Sequence, residues 1–491
     1  MRTLCSTFWA ALCVVVLGVP VARAQQQTPS QQQAPDQGAA PIPAYRSPLA
    51  SAADNSDSDS DSQQLVPDNR SLSGAQDLSP EMLSTRSYWQ PGIDMFAMVD
   101  SNPGETPQGS DWEGDAALSG HVDVHRISGN SSMTLSYNAG GIFSSYGGVN
   151  NGIVQGLNFG DKFSFRRSTI SFFDQLIYLP GSSFGFGGLG GLGGTLGSSG
   201  LGPVFGPGQT ILTGEGQDLG NSFVTEIDTS LTPRSSLTLV GGYYLLHNFS
   251  SDLLNSGNPN FRGGYNYQMT RKDTIAAMYT FSGYRYSNFA QSVNTHTVQV
   301  SYGRLITGRL AFQIAAGPEV VISRIAITGS GGSSGGEGGA GTTTATSTTQ
   351  LYLSLNSSLR WTAARNTFTL AYYRGANGGS GVLAGSIGDT VSGSITREVS
   401  RTFSSGITGG YSRNQGVALV TGTPLNQTYD YWFGSASLSH PVGRSLGLTL
   451  SYLVQYQNSN SAFCTGSTCG TSIIRNLISF GVGWHERPLL F

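Results

Sequence analysis

The chain has 491 residues, of which only 11% are charged while 68 are glycine. Typical soluble domains have about 25% charged residues, so this composition argues against an ordinary soluble enzyme. A net charge of −3 without a basic stripe argues against nucleic-acid binding. Low charge with a mean hydropathy close to zero indicates a wall that faces lipid on one side and water on the other.

The first 24 residues predict a secretory signal peptide. Arg2 supplies the positive start, and an apolar stretch runs from Phe8 to Val19. Ala22-Arg23-Ala24 then offers small residues at the cleavage positions before Gln25. No later run of 18 or more apolar residues predicts a membrane helix. We therefore expect the chain to cross the inner membrane without staying in it.

Residues 25–87 are of low complexity, with glutamine runs, a proline and alanine stretch, and aspartate alternating with serine from Asp54 to Asp61. Such a segment buries too little apolar surface to offset the entropy of ordering it. We predict a disordered linker, which is too short and too polar to be a folded plug inside a barrel. Loose calcium binding by the aspartate and serine run is the alternative to a solvated linker.

From about Tyr88 to Phe491, apolar and polar residues alternate with a period of two. Clear examples are the segments Leu351–Trp361 and Leu446–Tyr456. Successive residues of a strand point to opposite sides, so each segment has one apolar and one polar face. A soluble β-sandwich produces the same alternation, so the connections between the strands have to decide the fold.

Short turns and long connections alternate strictly along this region, which predicts a barrel with tight hairpins on one rim and long loops on the other. Counting two strands for each long connection gives about 18 strands, and 16 also fits. The predicted fold is an all-β, transmembrane, antiparallel up-and-down β-barrel over residues 88–491. The predicted short turns centre on Ser128–Ser131, Arg166–Ser168, Thr232–Ser235, Thr270–Asp273, Ile306–Gly308, Ala363–Asn366, Ser400–Thr402 and Val442–Ser445.

The export signal, the alternating strands, the rhythm of the connections and the terminal Phe491 resemble Gram-negative outer-membrane β-barrel proteins of porin-like size. The resemblance implies contact with outer-membrane lipids, passage of small hydrophilic solutes and, as one option, a homo-oligomer. It also implies that the C-terminal strand is recognised by the barrel-assembly machinery. Arg487 and Pro488 break the alternation of the last strand, and proline cannot donate to a ladder. We therefore predict a bulge or a short tail there.

Two groups of ionisable residues are predicted to line the lumen. His121, Asp123 and His125 share one face of a strand, with successive positions about 7 Å apart. They could hold a transition metal, but side chains spaced along one strand converge poorly, so lining is preferred. Glu226 and Asp228 form a second inward pair, which either favours cations or keeps the lumen wet.

The connection 180–219 is glycine-rich and apolar, and it has no charged residue between Pro180 and Thr213. By position it corresponds to the loop that narrows the channel of general porins, so the resemblance implies a constriction. The alternatives are a cover over the mouth and a contact with a neighbouring subunit. The residues named for this role are Phe184, Phe186, Leu189, Leu192 and Phe205.

Cys464 and Cys469 are the only cysteines after the signal peptide, and they are predicted to form a disulfide in an oxidising compartment rather than remain free thiols. No convincing nucleophile or phosphate-loop motif appears, so neither an enzyme nor a cofactor is predicted. The preferred function is a porin-like passive channel. The alternative is a structural or adhesive surface barrel that acts through its long loops, and a membrane enzyme is the third hypothesis.

Overall fold

The computed structural model describes residues 72–73, 86–103, 112–145, 151–179, 217–249, 253–287, 290–328, 343–379, 383–400, 402–417, 419–420, 423–424, 427–460 and 472–491. The predicted signal peptide and most of the predicted linker lie outside these residues. So do both cysteines of the predicted disulfide and all five side chains named for the 180–219 constriction.

The described residues form β-strands and parts of the connections between them. Their bounds are β1 (Tyr88–Asp100), β2 (Glu113–Ser128), β3 (Ser131–Ser144), β4 (Gly152–Ser164), β5 (Ser168–Leu179), β6 (Asp218–Thr232), β7 (Ser235–Asn248), β8 (Ser256–Gln268), β9 (Asp273–Tyr286), β10 (Gln291–Thr307), β11 (Leu310–Thr328), β12 (Thr343–Thr362), β13 (Asn366–Asn377), β14 (Ser386–Glu398), β15 (Ser404–Gly416), β16 (Leu419–Val420), β17 (Thr423–Pro424), β18 (Thr428–Val442), β19 (Leu446–Ser459), β20 (Ser472–His485) and β21 (Leu489–Leu490). No helix in the described part of the chain is long and apolar enough to cross a membrane.

Antiparallel pairing of sequential strands closes the sheet into a barrel. Each strand from β1 to β14 pairs with the next one in the chain, β15 pairs with β18, and β18 and β19 continue the series to β20. β20 pairs with β1 and closes the ring, while β16 and β17 form a separate two-residue ladder. The result is a closed barrel of 18 strands, which confirms the predicted fold and strand number.

The two rims differ as the sequence predicts. One rim carries tight turns, such as Gly129-Asn130 between β2 and β3 and Gly308-Arg309 between β10 and β11. Gly129 has a φ of 55°, a left-handed conformation that glycine adopts without steric cost. The connections on the opposite rim are mostly longer, and the longest of them joins β5 to β6. We refer to these as the short-turn rim and the long-loop rim.

The alternation of side chains gives the barrel two chemically different surfaces. Large apolar side chains point outward and stay exposed, as in Leu351 (71%) and Ile407 (61%). Residues on the inner face are largely polar and buried, including Asp94, Thr238 and Ser301. A monomeric soluble protein rarely exposes so continuous an apolar surface to water. The outer surface of this barrel is therefore suited to face lipid.

Two cross-strand rows mark the outer surface of β13, β14, β15 and β18 near the long-loop rim. Arg374, Asp389, Arg413 and Asp430 lie directly opposite one another on these successive strands and alternate in charge. The adjacent row contains Tyr372, Val391, Tyr411, Trp432 and Tyr456. Aromatic rings of this kind settle at the boundary between acyl chains and headgroups, so the charged row lies at the level of the headgroups.

The end of the chain contains the irregularity that Arg487 and Pro488 predict. His485 of β20 lies opposite Gly92, whereas Leu489 of β21 lies opposite Trp89, so the last segment carries one extra residue relative to β1. An extra residue in one strand is a β-bulge, and it exchanges the two faces of the strand beyond it. Leu489 therefore shares the outer face with Trp89.

Candidate functional site: the inner wall of the barrel

The inner wall at the closing seam, formed by β20, β1 and β2, carries a buried histidine and carboxylate pair. His121 of β2 contacts Asp94 of β1, with 2.7 Å between Nδ1 and Oδ2. Both side chains are buried, and the register brings them together because Gly92 lies directly opposite His121. Glycine leaves room here, since a Cβ at position 92 would overlap the imidazole ring.

Closer to the long-loop rim, the same seam is joined by a buried ion pair. The Arg475 guanidinium of β20 donates to Asp100 Oδ2 of β1 through Nε at 2.7 Å and Nη2 at 2.5 Å. The Asn102 backbone N–H donates to the other oxygen of Asp100 at 3.0 Å. Both charged side chains are almost completely buried. The pair therefore links the first and last long strands of the barrel across the seam.

Near the short-turn rim, the second predicted histidine has an aromatic neighbour. The His125 ring stacks on Tyr88 of β1, with ring centroids 5.6 Å apart and an interplanar angle of 6°. Asp123 lies on the same face of β2, between His121 and His125. The three residues thus share the inner wall, but His121 and His125 contact different residues of β1.

Away from the seam, the inward acids of β6 belong to a hydrogen-bonded chain. Thr238 of β7 donates to Asp228 Oδ1 at 2.5 Å, and Asn266 of β8 donates through Nδ2 to Thr238 Oγ1 at 3.1 Å. Glu226 lies two residues before Asp228 on the same face, in a row that continues through Val240 of β7 to Arg262 of β8. Carboxylates and a guanidinium therefore share this part of the wall.

The connection between β13 and β14 folds inward and contacts β9 and β10. The hydroxyl of Tyr286 donates to the Gly378 carbonyl at 3.0 Å, and Gln291 Nε2 donates to the Ala384 carbonyl at 2.8 Å. Ala384 also packs in one apolar cluster with Tyr286 and Val293. These contacts place the described ends of the connection on the inner side of the barrel, near the long-loop rim.

All five predicted lumen residues lie on the inner wall, while their role toward a solute stays a prediction. Asp94, Asp100 and Arg475 belong to the same wall but were not singled out from the sequence. Asp94 stands between Ile93 and Met95, so the alternation itself carried a signal for its inward position. No comparable signal pairs Asp100 with Arg475, since 375 residues separate them.

Acidic side chains outnumber basic ones on the described part of the inner wall. The alternation of each strand, together with burial, assigns side chains to this face. This excess of carboxylates favours a negative electrostatic potential along the described inner wall, because a low-dielectric wall focuses the potential of its charges. The inward acids are Asp94, Asp100, Glu113, Asp115, Asp123, Asp218, Glu226, Asp228, Glu319 and Glu398, and the inward bases other than histidine are Lys162, Arg262, Arg360 and Arg475.

A closed antiparallel barrel with an apolar outer surface, a polar inner wall and tight turns on one rim has the architecture of an outer-membrane β-barrel of porin-like size. Among the described strands, the ring of backbone hydrogen bonds closes between β20 and β1, and a closed ring is the requirement for crossing a bilayer with strands.

No protein-family model matches the chain, and no curated protein matches its sequence. In structure it is similar to Pseudomonas aeruginosa OccK5 (OpdH), at 12% identity over 82% of this chain and 98% of that one, with a TM-score of 0.39. It is similar to Pseudomonas aeruginosa OprD at 9% identity, over 84% and 99% of the two chains, with a TM-score of 0.40. It is also similar to Acinetobacter baumannii OccAB3 at 10% identity, over 82% of this chain and 99% of that one, with a TM-score of 0.39.

Proposed function

We propose that this protein is a passive outer-membrane channel for small hydrophilic solutes, with a preference for cations. The observation that carries the proposal is the polar inner wall with its excess of carboxylates, enclosed by a ring of 18 strands. Barrels of this strand number enclose an aqueous passage. Acidic side chains around such a passage favour cations over anions. The paired charges at the seam stabilise the wall, while Glu226 and Asp228 contribute to the field.

Purified full-length protein is expected to produce stepwise currents in planar lipid bilayers. In a gradient of potassium chloride, the reversal potential should have the sign of a cation-selective pore, because the inner wall is negatively charged. Liposome swelling with sugars of graded size would then define the largest solute that passes. A folded protein that inserts but carries no current would contradict the channel proposal, and an anion-selective current would contradict the cation preference.

The double substitution Glu226→Gln/Asp228→Asn tests the charge of the inner wall directly. The amides keep the size of the side chains, and the new amide oxygen at position 228 can still accept the hydrogen bond from Thr238. We expect the cation preference to fall while the conducting barrel remains. The matched control is Asp389→Asn/Asp430→Asn, which removes the same charge from the outer surface. Equal shifts of reversal potential in both variants would show that the inward acids do not set selectivity.

A further inference from the structure

Two residues that precede the barrel in sequence lie against its inner wall. Leu72 and Ser73 are buried, with exposed fractions of 6% and 0%. The Ser73 backbone N–H donates to Asn266 Oδ1 at 3.1 Å, and Asn266 Nδ2 donates to Ser73 Oγ at 2.9 Å. This reciprocal pair of hydrogen bonds satisfies the backbone and the side chain of Ser73 together. The sequence predicts only a linker in this region.

The wall has space for these two residues because glycines face them. A Cβ placed on Gly264 of β8 would overlap the side chain of Ser73. A Cβ placed on Gly303 of β10 would lie 3.1 Å from Leu72 Cδ2, closer than ordinary van der Waals contact. Both glycines lie near the short-turn rim, where β8 ends at Gln268 and β10 ends at Thr307.

A row of small side chains runs across the strands beside these glycines. Ala276 of β9, Ser301 of β10 and Ala315 of β11 lie directly opposite one another and are all buried. An inward side chain of a wide barrel would face lumen water unless other atoms covered it. The row of small residues thus forms a recess in the wall, and we name Gly264, Ala276, Ser301, Gly303 and Ala315 the lumen recess.

The geometry of the chain permits this docking. Ser87, directly before β1, lies at the short-turn rim, and the chain from Ser73 to Ser87 spans at most about 50 Å when extended. That reach exceeds the width of a barrel of this size, so the segment can enter from the short-turn rim and reach β8 to β10. Asn266 also donates to Thr238, which in turn donates to Asp228. This chain of hydrogen bonds connects the docked residues to an acid of the inner wall.

We propose that Leu72 and Ser73 dock into the lumen recess and act as an internal anchor that narrows the channel at its short-turn end. Leu72 contributes an apolar side chain that docking removes from water. Ser73 contributes the hydrogen bonds that fix the position of the segment against β8. The docking stands independently of transport, whereas the narrowing rests on the proposed channel function.

Disulfide trapping tests the docking without any measurement of transport. In a Cys464→Ser/Cys469→Ser background, Leu72→Cys is combined with Gly303→Cys, because a Cβ at position 303 would lie 3.8 Å from Leu72 Cγ, the place that a cysteine sulfur at position 72 would take. Oxidation is expected to join the two positions in the folded barrel, as detected by mass spectrometry of the linked peptides. The matched control is Leu72→Cys with Arg304→Cys, because position 304 is adjacent on β10 but faces outward. Failure to trap 72–303, or equal trapping of 72–304, would overturn the docking.

Conductance tests the narrowing separately. Deletion of residues 60–80 removes the anchor, whereas deletion of residues 30–50 shortens the same segment by an equal length and keeps it. We expect single-channel conductance to rise only in the first variant. If trapping succeeds but the two deletions conduct alike, the narrowing is wrong. If neither the full protein nor either deletion conducts, the channel proposal fails while the trapped disulfide still supports the docking.

Discussion

Replacing Arg475 with methionine is expected to destabilise the folded barrel by about 3–5 kcal/mol, because the substitution leaves the Asp100 carboxylate buried without its cation. The loss falls at the seam between β20 and β1, where closure of the ring depends on pairing across the whole length of the sequence. Denaturant-induced unfolding in detergent micelles or lipid vesicles, followed by tryptophan fluorescence, would measure the difference.

Two variants control this prediction. Arg413→Met removes an arginine from the outer surface, where its pair with Asp430 is partly exposed, and it should cost no more than about 1 kcal/mol. Asp100→Asn combined with Arg475→Met removes both buried charges and should recover part of the loss. If Arg475→Met unfolds at the same denaturant concentration as Arg413→Met, the buried ion pair does not hold the seam.

Shortening the inward connection between β13 and β14 is expected to raise single-channel conductance several-fold, because a barrel of this strand number encloses a wide passage when nothing crosses it. Residues 379–384 would be replaced by Asn-Gly, a pair that favours a tight hairpin turn. Planar-bilayer recordings of the purified variant would give the conductance. This prediction rests on the contacts of the connection with Tyr286 and Gln291.

A milder variant separates the connection's position from its length. Tyr286→Phe removes the hydroxyl that donates to Gly378 and should increase conductance fluctuations, since the connection loses one anchor. Tyr279→Phe is the matched control, because Tyr279 lies on the same strand but faces outward. Unchanged conductance after the shortening would exclude this connection as a constriction and leave the 180–219 prediction as the alternative.

The fold could be predicted from the sequence because two of its determinants are local. A period-two alternation such as Leu446–Tyr456 defines the faces of a strand, and the lengths of the connections define the two rims. The contacts of the candidate site are harder to predict from the sequence. The alternation places His121 and Glu226 inward, but their partners depend on the register with other strands, as Asp94 does across the seam.

Contacts made by connections and by the N-terminal segment could not be predicted for a different reason. The inward course of the β13–β14 connection depends on Tyr286 and Gln291, which lie on strands four positions away around the ring. The docking of Ser73 depends on Asn266, 193 residues later. Neither contact leaves a periodic pattern, since each requires only one or two suitable side chains on a distant strand.

The single-residue bulge before β21 has a practical consequence for anyone who labels this protein. Because the bulge exchanges the faces of the final segment, Phe491 ends on the lipid side, 67% exposed, with its backbone N–H donating to the Ser87 carbonyl. An affinity tag or fluorescent fusion attached after Phe491 would begin on the lipid-facing side of the barrel, beside the start of β1. Tags placed in the long connections avoid that junction.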